Sequence, residues 1–165
     1  MRKGHERATF SSGESALDDW FRKRALQDDR RNVARVFVGV DDDADGALVG
    51  FYSLSAFTIE LDDLPADLAR KLPRYAAIPA ALIGRLARSD AARGQGIGEL
   101  LVADALTRIL GVSASVAAYA VVGEAKNERA RSFYAALGFT PFPDSPRRLF
   151  LLTETARAAR LSSNR

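Results

Sequence analysis

Two residue types that carry much enzyme and metal chemistry are almost missing from this chain of 165 residues, which has no cysteine and a single histidine, His5. The absence of cysteine excludes a disulfide scaffold, a thiol nucleophile and a thiolate metal site. One histidine near the start leaves almost nothing for a histidine zinc site or a Ser-His-Asp triad. We therefore expect no metal in this protein.

Long apolar runs are also missing. The first residues, M-R-K-G-H-E-R, lead into further polar residues, so no signal peptide is predicted, and no run approaches the ~20 apolar residues of a spanning helix. We expect a cytoplasmic protein with no membrane partner. Hydrophobic residues make up 47% and charged residues 27%, which excludes a disordered chain. The length predicts a single domain over residues 1–165.

The positive charge comes almost entirely from arginine. The net charge is +3, and of the 24 basic residues four are Lys and 20 are Arg. An arginine-rich solvated surface explains this composition, and so does a polyanionic partner, because Arg pairs with phosphate through two parallel hydrogen bonds. Basic clusters that would suit RNA lie at residues 22–24, 30–31, 70–74 and 147–148.

The first half of the sequence predicts a helix followed by a β-hairpin. Ser11 and Glu14 fit a capping box before a helical apolar pattern that runs to Ala25. The hairpin strands are residues 34–40 and 47–57, joined by the turn D-D-D-A-D-G. This turn resembles a calcium loop, but Tyr52 stands where the bidentate Glu is required.

The second half alternates strands and helices. The patterns predict a short helix at 66–71, strands at 81–88 and 115–122, helices at 99–110 and 127–137 with Gly138 as the C-cap, a strand pair at 139–142 and 147–153, and a frayed or helical tail. The order α-β-β-α-β-α-β-α-β-β is that of an α/β fold in which helices cover a mixed sheet.

A glycine-rich loop, R-G-Q-G-I-G at 93–98, joins a predicted strand to a predicted helix. Alternate glycines leave the backbone N–H groups uncrowded, and a helix N-terminus with Arg93 nearby favours an anion. The loop is neither G-x-G-x-x-G nor a P-loop. A phosphate-bearing ligand and a tight structural turn both remain open.

Two motifs in this order resemble a known family. Residues 93–98 match the R/Q-x-x-G-x-G/A signature of the GNAT N-acetyltransferases, and N-E-R-A-R-S-F-Y-A-A-L-G-F at 127–139 is similar to that family's A-x-x-F-Y-x-x-x-G-F. The resemblance spans residues 10–153. It is closest to the TacT-type toxins of toxin–antitoxin pairs, through G-E-S-A-L-D-D-W, G-F-Y-S-L-S, I-P-A-A-L-I-G-R-L-A and R-R-L-F. V-V-G-E-A-K-N at 121–127 departs from the pattern.

The resemblance implies a GNAT acyltransferase fold, with a mostly antiparallel central sheet, a splayed parallel strand pair and flanking helices. It implies acetyl-CoA as co-substrate and Tyr134 as the catalytic acid that protonates the departing thiolate. Core packing is the alternative role for Leu86, Phe133 and Tyr134. The residues that the resemblance assigns to acetyl-CoA are Leu86, Ala87, Arg88, Arg93, Gly94, Gln95, Gly96, Ile97, Gly98, Asn127 and Phe133.

The sequence offers no clear general base, since Glu99 suits the start of a helix in any case. An α-amine, with a pKa of ~8, needs a base less than a lysine of pKa ~10.4. The resemblance likewise implies a toxin that acetylates the amino group of aminoacyl-tRNA, blocks translation, forms a homodimer and pairs with a ribbon-helix-helix antitoxin. Alternatives are acetylation of a small amine or protein N-terminus, and a non-catalytic CoA- or RNA-binding module.

Overall fold

The computed structural model describes residues 6–74 and 77–163. Six strands form one mixed sheet in the order β1-β2-β3-β4-β6-β5, in which β3 and β4 are parallel. Helices flank the sheet, which confirms the predicted α/β class. The strands are β1 (Arg35–Asp41), β2 (Ala47–Glu60), β3 (Ala77–Arg88), β4 (Ala120–Glu124), β5 (Thr140–Phe142) and β6 (Ser145–Leu152). The helices are α1 (Ser15–Lys23), α2 (Ala25–Arg30), α3 (Ala66–Ala69), α4 (Ile97–Val112), α5 (Glu128–Ala136) and α6 (Thr153–Ser163). Within the described ranges, no helix is long and apolar enough to cross a membrane.

The chain divides into two compact units, of which the first contains residues 1–55 and 83–105. Its core is aromatic: Phe21 stacks on Phe51 with ring centroids 4.2 Å apart, and Phe10 meets both rings edge-on. Trp20 and Phe21 are the buried face of α1, while residues 22–24 stay exposed. This amphipathic pattern is the one that the apolar spacing predicted.

The capping box predicted for α1 is wrong. The helix begins at Ser15, and Glu14 makes no side-chain capping bond. Ser12 instead donates from its hydroxyl and its N–H to the buried carboxylate of Asp18, at 2.6 Å and 3.1 Å. A buried carboxylate needs such donors, so these two hydrogen bonds hold the residues before the helix against its first turn. The helix also ends earlier than predicted, at Lys23, and α2 follows as a separate helix.

The start of α4 lies close against β2 because Gly50 has no side chain. A Cβ there would stand 2.7 Å from Leu101 Cδ1 and 2.9 Å from the carbonyl oxygen of Ala87. Tyr52 is almost fully buried, and its hydroxyl donates to the carboxylate of Asp104 on the same helix. These contacts hold the helix that follows the glycine-rich loop.

The second unit contains residues 56–82 and 106–165. Its core is formed by buried residues of β2–β6 and by Leu64 of the connection before α3, with partly buried residues of α3 against them. The strand residues are Ile59, Ile78, Ala80, Ala120, Val122, Phe142 and Phe150, and those of α3 are Leu68 and Ala69. In the antiparallel β4–β6 pair, Gly123 lies opposite Leu149 and Glu124 opposite Arg148. Residues of this strand pair therefore form the surface against which α5, the helix of the second signature, packs.

Several predicted bounds need correction. The strand predicted at 115–122 begins later, and is β4 at Ala120–Glu124. The reason is that α4 continues to Val112, whose carbonyl accepts from the N–H groups of Ser115 and Val116. The strands predicted at 47–57 and 81–88 are longer, and the tail forms α6. The single domain over residues 1–165 stays a prediction.

Candidate active site

The glycine-rich loop is anchored at its start. Beyond β3, the N–H of Ser89 donates to the carbonyl of Val49 at 2.8 Å. The Ser89 side chain then caps a short 3-10 turn, Asp90–Ala92, by accepting from the N–H of Ala91 at 3.3 Å. The chain therefore leaves the strand in a fixed direction before the glycines begin.

Gly94 and Gly96 adopt φ angles of +79° and +71°, which L residues with a side chain rarely take. A Cβ at Gly94 would meet nothing within 4 Å, and one at Gly96 would meet only the Glu99 carboxylate, at 3.9 Å. Backbone conformation, and not crowding, therefore requires these glycines. The space over the loop is open.

The same loop carries the features of an anion site. The first N–H groups of α4, those of Ile97 and Gly98, have no acceptor within the helix, and the helix dipole places partial positive charge there. Arg93 adds a largely exposed guanidinium, 3.7 Å from a carboxylate oxygen of Asp90. Gln95 is also exposed. The residues present fit a diphosphate such as that of acetyl-CoA.

The residues predicted to line the pantetheine form the end of β3. Ala87 is buried in the aromatic core of the first unit, and Leu86 and Arg88 are half-buried. Arg88 donates from its guanidinium to the carbonyl of Ser89 at 3.4 Å. Core packing explains Ala87, and the role of all three residues toward acetyl-CoA stays a prediction.

Tyr134 lies on α5 with its ring against the backbone of Gly123. A Cβ at Gly123 would stand 2.8 Å from Tyr134 Cε1 and 2.9 Å from Cζ. Phe133 and Phe139 flank the ring, with centroids 5.4 Å and 5.1 Å away. The side chain is 3% exposed. Its position is therefore set by a strand residue that has no side chain.

The environment of Tyr134 keeps its phenol neutral. Burial raises the pKa of the hydroxyl well above its ordinary value near 10, and the negative charge of Glu124 raises it further. Among residues 6–74 and 77–163, no hydrogen bond is seen from the hydroxyl to another residue. Such a phenol is available as a donor to an incoming group.

Asn127 caps α5. Its side-chain oxygen accepts from the N–H of Ala130 at 2.9 Å, and the helix begins one residue after the predicted start. Phe133 is half-exposed beside Tyr134. That Asn127 and Phe133 border the thioester of acetyl-CoA stays a prediction for both residues.

Sequence reasoning missed Gly123 and Glu124, because both lie in the segment that departs from the family pattern. A glycine within a valine-rich strand is itself a sign that another group approaches closely. Arg147 and Arg148 form one of the basic clusters predicted to suit RNA, and the structure separates them. Neighbouring strand residues point to opposite faces, and Arg147 is exposed with its guanidinium on the carbonyl of Lys126 at 3.3 Å, while Arg148 is half-buried.

A glycine loop that opens a helix after one strand of a parallel pair, and a tyrosine on the helix of the second signature, are features that the resemblance to acyl-CoA-dependent N-acyltransferases implies. The chain belongs to the acetyltransferase (GNAT) family, whose pattern matches residues 4–139. The resemblance to this family is thereby confirmed.

Two similar proteins belong to the toxin branch of this family. A tRNA-acetylating toxin of Mycobacterium tuberculosis is 37% identical over 150 residues, which cover 91% of this chain and 87% of the toxin. A probable toxin TacT of Sinorhizobium fredii is 34% identical over 161 residues, which cover 93% of this chain and 88% of that protein.

The solved structures that are similar to this chain include toxins of the same branch. A Tyr-to-Phe mutant of KacT superposes with a TM-score of 0.88 at 31% identity, over 94% of this chain and 92% of that one. AtaT complexed with acetyl-methionyl-tRNAfMet gives 0.87 at 28%, over 94% and 92%. A Tyr-to-Phe mutant of AtaT bound to acetyl-CoA and the C-terminus of the antitoxin AtaR gives 0.81 at 25%, over 94% and 91%.

The raised pKa of Tyr134 predicts a specific alkaline titration. Tyr134→Phe removes one of four tyrosines and keeps the ring on Gly123. Since the native phenol holds its proton where an ordinary tyrosine is half ionised, we expect the phenolate absorbance of the wild type and the variant to coincide up to about pH 10. In urea, where burial is lost, the two curves should differ by one tyrosine. A native difference with a midpoint near pH ~10 would contradict the assignment.

Proposed function

We propose that this protein moves the acetyl group of acetyl-CoA to the α-amino group of aminoacyl-tRNA, and so blocks translation. The observation that carries the proposal is Tyr134, a buried phenol that is held neutral and has no hydrogen-bond partner among the described residues. Its place in a GNAT chain, and the tRNA-acetylating activity named for its relatives, support this acceptor over others.

Acetyl-CoA would be held mainly by backbone. The N–H groups of residues 94–98 and the Arg93 guanidinium would bind the pyrophosphate. The end of β3, at Leu86, Ala87 and Arg88, would pair with the pantetheine. Asn127 and Phe133 would border the thioester. The open space over Gly94 and Gly96 supports this arrangement.

The transfer would be direct, in a ternary complex. The amine nitrogen attacks the acetyl carbonyl, a C–N bond forms, the C–S bond breaks, and the thiolate must gain a proton. Tyr134 would donate its proton to that sulfur and regain one from the acylated nitrogen, so that the amide and the free thiol are the products. The phenol carries a proton at neutral pH, as a tyrosine with a pKa of ~10 already does, and burial raises that pKa further.

An α-amine suits this site because part of it is already neutral near pH 7, with a pKa of about 8. The exposed arginines and lysines of the basic clusters at residues 22–24, 30–31 and 70–74 support a polyanionic acceptor. We propose that the reaction takes place in the cytoplasm, where charged tRNA is used.

The relatives also support a protein partner. Because AtaT binds the antitoxin AtaR, we propose that an antitoxin also neutralises this protein. From the resemblance to the toxin branch, we further propose that this antitoxin is a ribbon-helix-helix DNA-binding protein and that the toxin is a homodimer.

The acceptor is tested with labelled acetyl-CoA and four substrates in parallel: charged tRNA, uncharged tRNA, a lysine-rich peptide and small polyamines. We expect label on charged tRNA alone, released by mild alkali as an N-acetyl amino acid. Binding of the tRNA should weaken steeply with salt, because phosphate contacts release counterions. Label on the peptide or a polyamine, with charged tRNA untouched, would replace the proposal with a small-amine or protein acetyltransferase.

The pyrophosphate assignment is tested by two matched valine substitutions. Gly96 and Gly46 both have φ near +70°, at +71° and +73°, and both are uncrowded, but Gly46 lies in the β1–β2 turn. Both variants carry the same backbone strain. We expect Gly96→Val to weaken acetyl-CoA binding at least ~10-fold, about 1.4 kcal/mol, and Gly46→Val to leave it unchanged. Calorimetry that finds equal affinities for the two variants would rule out the assignment.

A further inference from the structure

The start of the glycine-rich loop is held by two different parts of the first unit. The N–H of Ser89 donates to the carbonyl of Val49 on β2, and the next N–H, that of Asp90, donates to the carbonyl of Ser11 at 2.8 Å. The carbonyl of Asp90 in turn accepts from the N–H of Arg93 at 3.2 Å. The direction in which the chain enters the glycines therefore depends on the position of the Ser11 carbonyl.

The chain before α1 is fixed against that helix at Phe10. The Phe10 ring meets the Phe21 ring edge-on, with centroids 5.1 Å apart, and its carbonyl accepts from the guanidinium of Arg22. Both partners lie on α1. Ser11 follows directly, so its carbonyl is restrained on one side by this anchor and depends on Ser12 for restraint on the other.

Asp18 supplies that second restraint. Its side chain is 5% exposed, and its Oδ1 accepts from the Ser12 hydroxyl at 2.6 Å and from the Ser12 N–H at 3.1 Å. Burial of a charge is costly unless the charge is hydrogen-bonded, and hydrogen bonds to a charged acceptor are the stronger ones. Both donors belong to Ser12, so the carboxylate fixes the residue directly after Ser11.

Gly13 brings the same segment against the side chain of Asp90. Its φ of +85° is one that glycine adopts readily, and a Cβ there would lie 3.4 Å from both carboxylate oxygens of Asp90. One of these oxygens lies 3.7 Å from Arg93 Nη2. Asp90 therefore contacts the segment before α1 through its backbone and through its side chain, and it also contacts the cation of the anion site.

We propose that Asp18 is a positioning residue for the binding of acetyl-CoA. Through Ser12 it holds the Ser11 carbonyl where the N–H of Asp90 donates to it, and Asp90 sets the course of the loop whose N–H groups would bind the diphosphate. The inference rests on the proposed function and adds to it a buried carboxylate of α1, which neither signature contains. Loss of this carboxylate should weaken the hold on the diphosphate and not the hold on the pantetheine.

Amide hydrogen exchange tests the structural link, with Ser89 as the internal control. In Asp18→Ala we expect the N–H of Asp90 to exchange at least ~5-fold faster, because its acceptor on Ser11 is released. The N–H of Ser89 should exchange as in the wild type, because Val49 still accepts it. An unchanged rate at Asp90, or an equal rise at both residues, would overturn the inference.

Ligand binding tests the consequence, with acetyl-CoA and with S-acetylpantetheine, which lacks the diphosphate. We expect Asp18→Ala to weaken acetyl-CoA binding at least ~5-fold, about 1 kcal/mol, the scale of one lost hydrogen bond. Its affinity for S-acetylpantetheine, measured by competition, should stay unchanged. Asp18→Asn keeps an acceptor oxygen and should recover most of the loss. In transfer to charged tRNA, the KM for acetyl-CoA should rise in Asp18→Ala while kcat stays unchanged.

Asp29→Ala is the matched control. Asp29 is also a carboxylate of the first unit, 13% exposed, and it accepts a backbone N–H, that of Val36, at 2.9 Å. It lies at the junction of α2 and β1, so Asp29→Ala should bind both ligands as the wild type does. Ser12→Ala guards against misfolding of Asp18→Ala, since it removes one hydroxyl from a half-buried residue, and it should weaken acetyl-CoA binding in the same selective way.

The outcomes separate the two proposals. If Asp18→Ala and Ser12→Ala bind both ligands as the wild type does, or lose affinity for both equally, the role of Asp18 is wrong and the proposed function stands. If the wild type binds acetyl-CoA no more tightly than S-acetylpantetheine, the diphosphate assignment is wrong and the role of Asp18 falls with it. If the wild type labels no charged tRNA, the proposed acceptor is wrong, and the binding data still decide the role of Asp18.

Discussion

The contact between the Tyr134 ring and the backbone of Gly123 is the constraint on which the proposed chemistry depends. Even one methyl group at Gly123 would stand 2.8 Å from the ring, so only glycine lets the phenol lie against the strand. That seat buries the ring, and burial keeps the hydroxyl protonated by penalising the phenolate. The position of the proposed acid and the raised pKa of its hydroxyl thus follow from one missing side chain.

Glu124, the next residue along β4, affects the same tyrosine through its charge. Glu124 raises the pKa of Tyr134 and also fixes the guanidinium of Arg148. One carboxylate therefore acts on the proposed donor and on the Arg148 guanidinium. The glycine-rich loop offers backbone N–H groups and a helix dipole, which need no titratable side chain. Binding of acetyl-CoA and the pKa of Tyr134 would therefore depend on separate chemical features of the chain.

Much of this was readable in the sequence. Periodicity predicted the α/β class, the hairpin and the two signature helices, because each has a one-sided apolar face. It misplaced β4, since α4 continues through Gly111 to Val112, whose carbonyl still accepts from the N–H groups of Ser115 and Val116. It also gave α1 the wrong start, because Ser12 bonds the buried carboxylate of Asp18 and the helix begins at Ser15 without a side-chain cap. Gly123 could have been noticed locally, as a glycine within a valine-rich strand. That Glu124 faces Arg148 depends on cross-strand register, which no local pattern encodes.

The most direct test of the account is single-turnover acetyl transfer to charged tRNA by Tyr134→Phe, with acetyl-CoA affinity measured on the same preparation. The variant keeps the ring on Gly123 and loses only the hydroxyl. We predict that transfer falls ~10²-fold or more, the usual scale for a lost acid–base group, while acetyl-CoA binds as in the wild type. Near-normal transfer by the variant would contradict the role of Tyr134 as the acid.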